Sequence, residues 1–181
     1  MSNVLPDKEY LHDVFEYDDG TLIWRVRPRN HFKTDRMFNI WNAKHAMKRA
    51  GRVMPTTPYR QIMVDGVRYL EHRLIAAMFG IDVSNEIDHK DGNGLNNKVE
   101  NLRSATRSQN TRNIAKRKNK MGNTGISKLK SNGKWVAYIR ENGKQKYLGT
   151  FLHEAEAWLA RLSAEEVVYG EYAGSLRSEI R

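Results

Sequence analysis

Asp88 and His89 stand side by side, directly after the apolar residue Ile87. Asn101 follows His89 by twelve residues, and Asn110 follows Asn101 by nine. A carboxylate, an imidazole and two amides are groups that a hydrolytic site with one metal ion could use. Around them stand an apolar residue that could end a strand, a turn rich in Gly and Asn, and then a polar helix start that carries Asn110.

Phosphodiester hydrolysis needs a base for water, a cation at the phosphate and stabilisation of the leaving 3′ oxygen. His89 is a suitable base, because an ordinary imidazole with a pKa of about 6.5 is largely neutral at physiological pH. Mg²⁺ or Mn²⁺ prefers oxygen ligands, which Asp88 and the amide of Asn110 would supply. We expect the Asn101 amide oxygen to accept from Nδ1–H of His89, which would leave Nε2 as the base.

The other polar residues nearby have simpler interpretations. We expect turn residues that bond their own backbone at Asp91, Asn93, Asn96 and Asn97. His72 is expected to pack near the site rather than to bind a metal. Arg103 and Arg107 either hold a phosphate or are ordinary surface cations.

The full pattern DHKDG…NN…ENLR.AT.SQN fixes many positions over 23 residues. It resembles the HNH homing endonucleases of phages and introns, and His72-Arg73-Leu74 stands upstream as a matching element does there. The segments DDGTLIWRV and YRQIMVDGVRYLEHRL also look like the N-terminal part of free-standing phage HNH proteins. The resemblance therefore covers most of residues 17–113.

The resemblance implies a ββα-metal fold, which is a strand, a loop, a second strand and a helix around one divalent cation, Mg²⁺ or Mn²⁺. It implies His89 as general base, Asn101 as the residue that orients it, and Asp88 and Asn110 as metal ligands. Many HNH enzymes carry a histidine where Asn110 stands, whereas an asparagine occurs in the homing subgroup. The chain has no cysteine, so we expect no structural zinc built on thiolates.

The charge of the chain is concentrated. The 181 residues carry a net charge of +10, but Leu102 to Tyr147 alone holds thirteen basic residues against the single acid Glu141. That segment has a net charge of +12, so the remainder sums to about −2. Such a stripe favours double-stranded DNA as the partner; the alternative is a solvated lysine-rich surface.

Residues 123–173 change character. Strands are predicted at Gly125–Leu129, Lys134–Glu141 and Lys144–Thr150, with a helix over Glu154–Val168. Asn142-Gly143 is a strong signal for a tight hairpin between the last two strands. Three antiparallel strands and one packed helix form a small α+β module.

This module resembles the DNA-binding (Apetala-type) domain of plant ethylene-response factors, in which the sheet enters the major groove. The resemblance, the basic linker and the HNH unit give one list of expected DNA contacts: Arg103, Arg107, Lys116, Arg117, Lys128, Lys130, Lys134, Trp135, Arg140, Lys144, Lys146 and Tyr147. Trp135 and Arg140 match the GKW.A.IR element of that family directly. For Trp135 the alternative is a place in the core, because strand tryptophans often pack on a helix. Arg161 stands where the family usually has an aromatic residue.

We therefore expect an α+β chain in five segments. They are an N-terminal extension with a β-hairpin and helix (1–66), the HNH core (67–113), a basic linker (114–122), the DNA-binding domain (123–173) and a tail (174–181). In the extension, helices are predicted within Pro6–Tyr17 and Phe38–Met54, and a strand over Thr21–Val26. Asp65-Gly66 is the signature of a tight hairpin between Tyr59–Val64 and Val67–Leu70.

The sequence predicts a metal-dependent DNA endonuclease that uses its C-terminal domain to find a site. The alternatives are a non-catalytic DNA-binding protein with a degenerate HNH scaffold and a general RNA-binding protein. Nicking or double-strand cleavage, and monomer or homodimer, stay open. With no signal peptide or long apolar stretch, we expect a cytoplasmic protein with no membrane partner, inside a phage-infected bacterium if the resemblance holds.

Overall fold

The computed structural model describes residues 4–113 and 125–174. The chain divides into two units, Met1–Arg107 and Ser108–Arg181. Helices and small antiparallel sheets occur in both, which confirms the predicted α+β class. No helix in the described ranges has the length and apolar character needed to cross a membrane.

The first unit contains three small antiparallel sheets, in the strand orders β1-β2, β3-β4-β5 and β6-β7. Its elements in chain order are α1 (Lys8–Val14), β1 (Phe15–Asp18), β2 (Thr21–Trp24), α2 (Asp35–His45), β3 (Arg52–Val53), β4 (Arg60–Val64), β5 (Val67–Leu70), α3 (Glu71–Met78), β6 (Glu86–His89) and β7 (Leu102–Ala105).

The first helix is shorter than predicted. Asp7 caps α1 by accepting a hydrogen bond from the backbone N–H of Tyr10 at 2.7 Å. After Val14 the chain becomes extended, and β1 pairs with β2 through a tight turn at Asp19-Gly20. Pairing with β2, a contact from outside the segment, therefore overrides the helical spacing at its C-terminal end.

The predicted helix over Phe38–Met54 is displaced towards the N-terminus. The hydroxyl of Thr34 accepts a hydrogen bond from the N–H of Met37 at 3.2 Å and caps α2. The helix ends at His45, and Met47 takes a left-handed conformation with φ 61°. The residues beyond it return as the short strand β3.

The hairpin of β4 and β5 forms at the predicted place, with Asp65 and Gly66 both at positive φ. Its inner face buries Ile62 and Val64. The next residues form α3, which buries Leu74 in the same core. That core is continuous from α1 to β7, so the predicted N-terminal extension and the HNH core share one hydrophobic interior.

The second unit is a three-stranded sheet with one packed helix, as predicted. Its elements are β8 (Ile126–Lys128), β9 (Trp135–Glu141), β10 (Lys144–Phe151) and α5 (Glu154–Tyr169), and the sheet order is β10-β9-β8. A further helix, α4 (Arg107–Asn113), begins with the last residue of the first unit. The predicted linker 114–122 lies outside the described residues.

Trp135 lies in the core between this sheet and α5, where it is 9% exposed and packs with Ile126, Ala137 and Ala157. The core alternative is therefore what the structure shows for this side chain. Any contact of Trp135 with DNA stays a prediction.

Arg161 forms a buried ion pair inside the second unit. Its Nη2 lies 2.8 Å from Oε1 of Glu165, one helical turn along α5, and both side chains are buried. The guanidinium also lies over the ring of Tyr169. Arg161 thus has an internal charge partner at the position where ethylene-response-factor domains usually have an aromatic residue.

Removing one member of this pair should destabilise the second unit strongly. We expect Glu165→Ala to lower the free energy of unfolding by about 3–5 kcal/mol, because it leaves a buried guanidinium without its counter-charge. The neighbouring Glu166 is exposed, so Glu166→Ala should change it by less than about 0.5 kcal/mol. Urea unfolding followed by circular dichroism measures both; equal effects would contradict a structural ion pair.

Candidate active site

The hairpin of β6 and β7 places the Asp-His pair. Asp88 is opposite Arg103 and His89 opposite Leu102 in the antiparallel register. Both Asp88 and His89 are buried. The loop of residues 90–101 joins the two strands and folds back over their ends, so its polar residues can reach the imidazole.

Asn101 fastens this loop. Its Nδ2 donates to the Asp91 carboxylate at 3.0 Å and to the backbone oxygen of Asn96 at 2.7 Å. Its Oδ1 accepts from the N–H of Asp91 at 3.1 Å. Asp91 and Asn93 also make the predicted turns, since each accepts from a backbone N–H two residues ahead. The loop is therefore closed by side chains from both of its ends.

The amide that reaches His89 is that of Asn97. Its Oδ1 lies 2.8 Å from Nε2 of His89, and its Nδ2 donates to Oε2 of Glu71 at 2.8 Å. Asn97 and Glu71 are each 1% exposed. The interpretation of Asn97 as a turn residue bonded to its own backbone was therefore wrong. Sequence reasoning also missed Glu71, whose only signal was an acid beside His72 at the start of an apolar helix.

This arrangement determines which nitrogen of His89 carries the proton. A carboxylate accepts hydrogen bonds, so Glu71 faces the NH₂ group of Asn97 and the amide oxygen is left to face His89. An amide oxygen also only accepts, so Nε2 of His89 is the protonated nitrogen and Nδ1 holds the lone pair. The expectation that Nε2 is free was wrong. A catalytic contribution of Asn101 stays a prediction. Asn101 would contribute by holding the loop that carries Asn97.

Burial keeps His89 neutral. Desolvation lowers its pKa, and the hydrogen bond that Nε2–H donates to Asn97 and the charges of Asp91 and Asp88 oppose that shift only in part. The ring packs against His72 and Tyr59, with centroid distances of 5.0 and 6.1 Å. Burial, together with His89 and Arg73, lowers the pKa of His72 to about 3. Two neutral imidazoles therefore lie side by side, and His72 is the packing residue that we expected.

Glu71 is held by several elements at once. Burial raises its pKa, while the N–H of Leu22, the charges of Arg60 and Arg49 and the amide of Asn97 act against that rise. The hydrogen bond from Leu22 is 3.1 Å long. The N-terminal hairpin thus contacts Glu71, which is linked to the imidazole of His89 through Asn97.

The same hairpin supports the loop that carries Asn97. Gly20 has φ +88°, and a Cβ there would lie 2.8 Å from the backbone nitrogen of Lys98. Lys98 forms an ion pair with Asp19 at 2.7 Å, and the hydroxyl of Tyr17 accepts from the N–H of Val99 at 3.2 Å. Only a glycine fits this close approach, so the hairpin of β1 and β2 helps to position the site.

Asp88 is paired with Arg103. Nε and Nη2 of Arg103 lie 2.9 and 2.8 Å from Oδ2 of Asp88, and both side chains are buried. Arg103 is thus an internal cation rather than an exposed one. Its predicted contact with DNA stays a prediction, as does that of the exposed Arg107.

The donor chemistry near His89 suits a hard cation. Asp88 offers a carboxylate, and the predicted second ligand Asn110 offers an amide oxygen. Asn110 lies on α4 among residues of the second unit, so its pairing with Asp88 stays a prediction. Within the described ranges, no group of three or more His, Cys, Asp or Glu residues could hold a metal ion. With Asp88 and Asn110 as the two protein ligands that we predict, an ion would keep open positions for water and phosphate.

The predicted DNA contacts of the second unit lie on two faces of the sheet. The register pairs Arg140 with Gln145 and Tyr138 with Tyr147, on the face opposite α5. Lys144 and Lys146 pair with residues of the helix-facing side, and Lys146 lies 3.5 Å from Glu141. Lys128, Lys130 and Lys134 are exposed, and Lys116 and Arg117 lie outside the described residues. All of these contacts stay predictions.

Comparison with known proteins gives two matches. Residues 69–112 match the HNH endonuclease family, and that range contains Glu71, His89 and Asn97. Protein 3.8 of Escherichia phage T7 is 36% identical over 89 residues, which are 48% of this chain and 72% of that protein. No solved structure matches the chain.

The tautomer of His89 can be measured directly. In protein labelled with ¹⁵N-histidine, we expect a protonated Nε2 and an unprotonated Nδ1 at neutral pH. Asn97→Leu should abolish this preference, because it removes the acceptor at Nε2. Asn93→Leu changes an exposed residue of the same loop and should leave the spectrum of His89 unaltered. A protonated Nδ1 in the unmodified protein would return the role of base to Nε2.

Proposed function

The chain belongs to the same family as protein 3.8 of Escherichia phage T7 and carries an HNH endonuclease domain, and we propose that it is a metal-dependent DNA endonuclease. The observation that carries the proposal is the neutral, buried His89, held through Asn97 by Glu71 and adjacent to the carboxylate of Asp88. A positioned base next to an oxygen ligand is the minimum that phosphodiester hydrolysis requires.

In this proposal Nδ1 of His89 takes the proton of the attacking water. The hydrogen bond at Nε2 fixes the ring and favours the imidazolium that forms, because Asn97 accepts from the nitrogen that keeps its proton. Tyr59 and His72 cover the ring and keep bulk water from that side. Mg²⁺ or Mn²⁺ held by Asp88 and Asn110 would act as a Lewis acid on the phosphate and the leaving oxygen.

The second unit is the proposed DNA-binding module. Its face opposite α5 carries the exposed Arg140 and Tyr147, and the tyrosine rings of that face lie 5.6 Å apart. An open sheet face with an arginine and aromatic rings supports the insertion into the major groove that the ethylene-response-factor resemblance implies. On this basis the protein would act at particular sites, as a homing-type enzyme does.

The phage relative supports a location inside an infected bacterium, where double-stranded DNA is the available substrate. Nicking and double-strand cleavage are both compatible with one site per chain, and so are a monomer and a homodimer.

One observation favours the non-catalytic alternative. Arg103 already neutralises the carboxylate of Asp88 within a buried pair, and a guanidinium competes with a cation for the same oxygen. A protein that kept the HNH scaffold but had lost the metal would bind DNA without cutting it. A cleavage assay separates the two functions.

Supercoiled plasmid incubated with the protein and Mg²⁺ or Mn²⁺ should be nicked or linearised, and EDTA should stop the reaction. His89→Ala should lower the rate by about 100-fold or more, because it removes the base. Its affinity for DNA, measured in EDTA, should stay near that of the unmodified protein.

The matched control is His12→Ala, which removes an exposed histidine on α1 and should leave the rate unchanged. If the unmodified protein cuts no DNA with any divalent cation, the non-catalytic alternative is correct. If His89→Ala cuts normally, another group is the base.

The open sheet face is tested with Arg140→Ala. Loss of a base contact should cost about 1–3 kcal/mol in affinity for the preferred site, and loss of a phosphate contact should reduce the salt slope by about 1. Lys8→Ala removes one exposed positive charge from α1 and serves as the control. Equal binding curves for the two variants in a fluorescence anisotropy titration would show that this face does not contact DNA.

A further inference from the structure

A second basic segment lies in the first unit. Residues 25–52 hold nine basic residues and one acid, Asp35, for a net charge of +8. Asp35 is already paired with Arg29. With the exception of the buried Arg27, every one of these basic side chains is exposed. This charge is separate from the basic segment that begins after Leu102, and nothing in the HNH chemistry uses it.

Part of the segment borders a groove of about 620 Å³, here called the α2 groove. Its wall is the side of α2 that carries Met37, Trp41 and His45 at successive turns. Its floor is the open face of the β3-β4-β5 sheet. There Arg52 is opposite Gln61, and Met63 is opposite Arg68, in the antiparallel register.

The positive charge of the floor is not neutralised. Among the described residues, Arg52 and Arg68 make no ion pair and no side-chain hydrogen bond, and both are exposed. Arg27, at the edge of the groove, differs: it is buried and pairs with Asp65 at 2.8 Å. An anionic ligand would therefore meet two arginines whose charges have no internal partner.

The groove offers charge rather than aromatic stacking. The ring of Trp41 already packs against Trp24 and Phe32, with centroid distances of 4.9 and 5.7 Å, and Arg27 lies 5.1 Å from its centroid. What faces the solvent is guanidinium and the half-exposed Met37 and Met63. This chemistry suits a sugar–phosphate backbone better than an unstacked base.

The outer side of α2 extends the same surface. The helix has no buried residue, and its exposed side presents Arg36, Ile40 and Lys44, with Ile40 56% exposed. The helix is capped at its N-terminus by Thr34 but buries none of its residues, so its outer side can contact a partner. Its charge selects an anionic one.

The floor strands run directly to the candidate active site. β5 continues into α3 at Glu71, and Tyr59, which stacks on His89, immediately precedes β4. At about 3.4 Å per residue along a strand, Arg68 lies roughly 10 Å from that end of the sheet. The same distance corresponds to about three base pairs of B-DNA.

We propose that the α2 groove and the outer side of α2 bind the sugar–phosphate backbone of duplex DNA a few base pairs from the bond at His89. This interface belongs to the first unit and is additional to the sheet of the second unit. It rests on the proposed endonuclease function for its ligand, since the substrate strand at His89 must continue across a neighbouring surface. The net charge of +8 and the unpaired arginines identify phosphate as the recognised group.

The test uses the full-length protein in EDTA, so that binding is measured without cleavage. A fluorescent duplex is titrated at several salt concentrations with the unmodified protein and with the double variant R52A/R68A. Losing two phosphate contacts should reduce the slope of log K against log salt by about 2, at about 0.9 per contact. R52K/R68K should keep the slope, because lysine also neutralises phosphate. K8A controls for an exposed charge outside the groove.

An unchanged slope in R52A/R68A, or the same loss in K8A, would overturn the proposal. The proposal would also be overturned if R52A/R68A lost affinity for phosphatidylserine vesicles but not for DNA. That result would assign the groove to binding a membrane surface. Cleavage is scored separately with Mg²⁺. A protein that binds duplex DNA through these arginines but does not cut it would contradict the endonuclease function and support DNA binding by the groove. An enzyme that cuts DNA but whose salt slope is unchanged in R52A/R68A would contradict only the groove proposal.

Discussion

The amide of Asn97 is the contact on which the site depends, because it joins the carboxylate of Glu71 to the imidazole of His89. All three side chains are buried, so each needs the others to satisfy its polar atoms. A carboxylate can only accept, and this sets the amide, which in turn sets the proton on the ring. The direction of one hydrogen bond therefore decides which nitrogen of His89 would be the base in the proposed mechanism.

Much of the first unit serves to keep this contact in place. The hairpin of β1 and β2 donates to Glu71 through Leu22 and presses Gly20 against the backbone next to Asn97. Asn101 closes the loop from its other end. The core continues from α1 to β7 and makes these supports rigid. The N-terminal hairpin is thus a structural part of the unit that carries the HNH endonuclease domain.

Charged side chains are arranged differently in the buried candidate site and on the exposed faces of the protein. Inside the site, Arg103 balances Asp88 within a buried pair, and the imidazoles are kept neutral by burial. On the outside, Arg52 and Arg68 of the α2 groove and Arg140 on the open sheet face are exposed. The buried charges have partners inside the protein, whereas these exposed arginines are the ones that we propose to meet phosphate.

The sequence by itself determined the elements whose signals are local. Alternating apolar residues and the Asp-Gly and Asn-Gly turns predicted both hairpins, and the family resemblance of the stretch around Asp88, His89 and Asn101 implied a strand, a loop and a second strand. The tertiary structure alone decided that Asn97, and not Asn101, meets His89, and that Trp135 is in the core. The loop has several chemically equivalent asparagines, and the choice among them depends on a partner, Glu71, 26 residues away. Local patterns fix backbone conformation, but the partner of a side chain is set by contacts between distant parts of the chain.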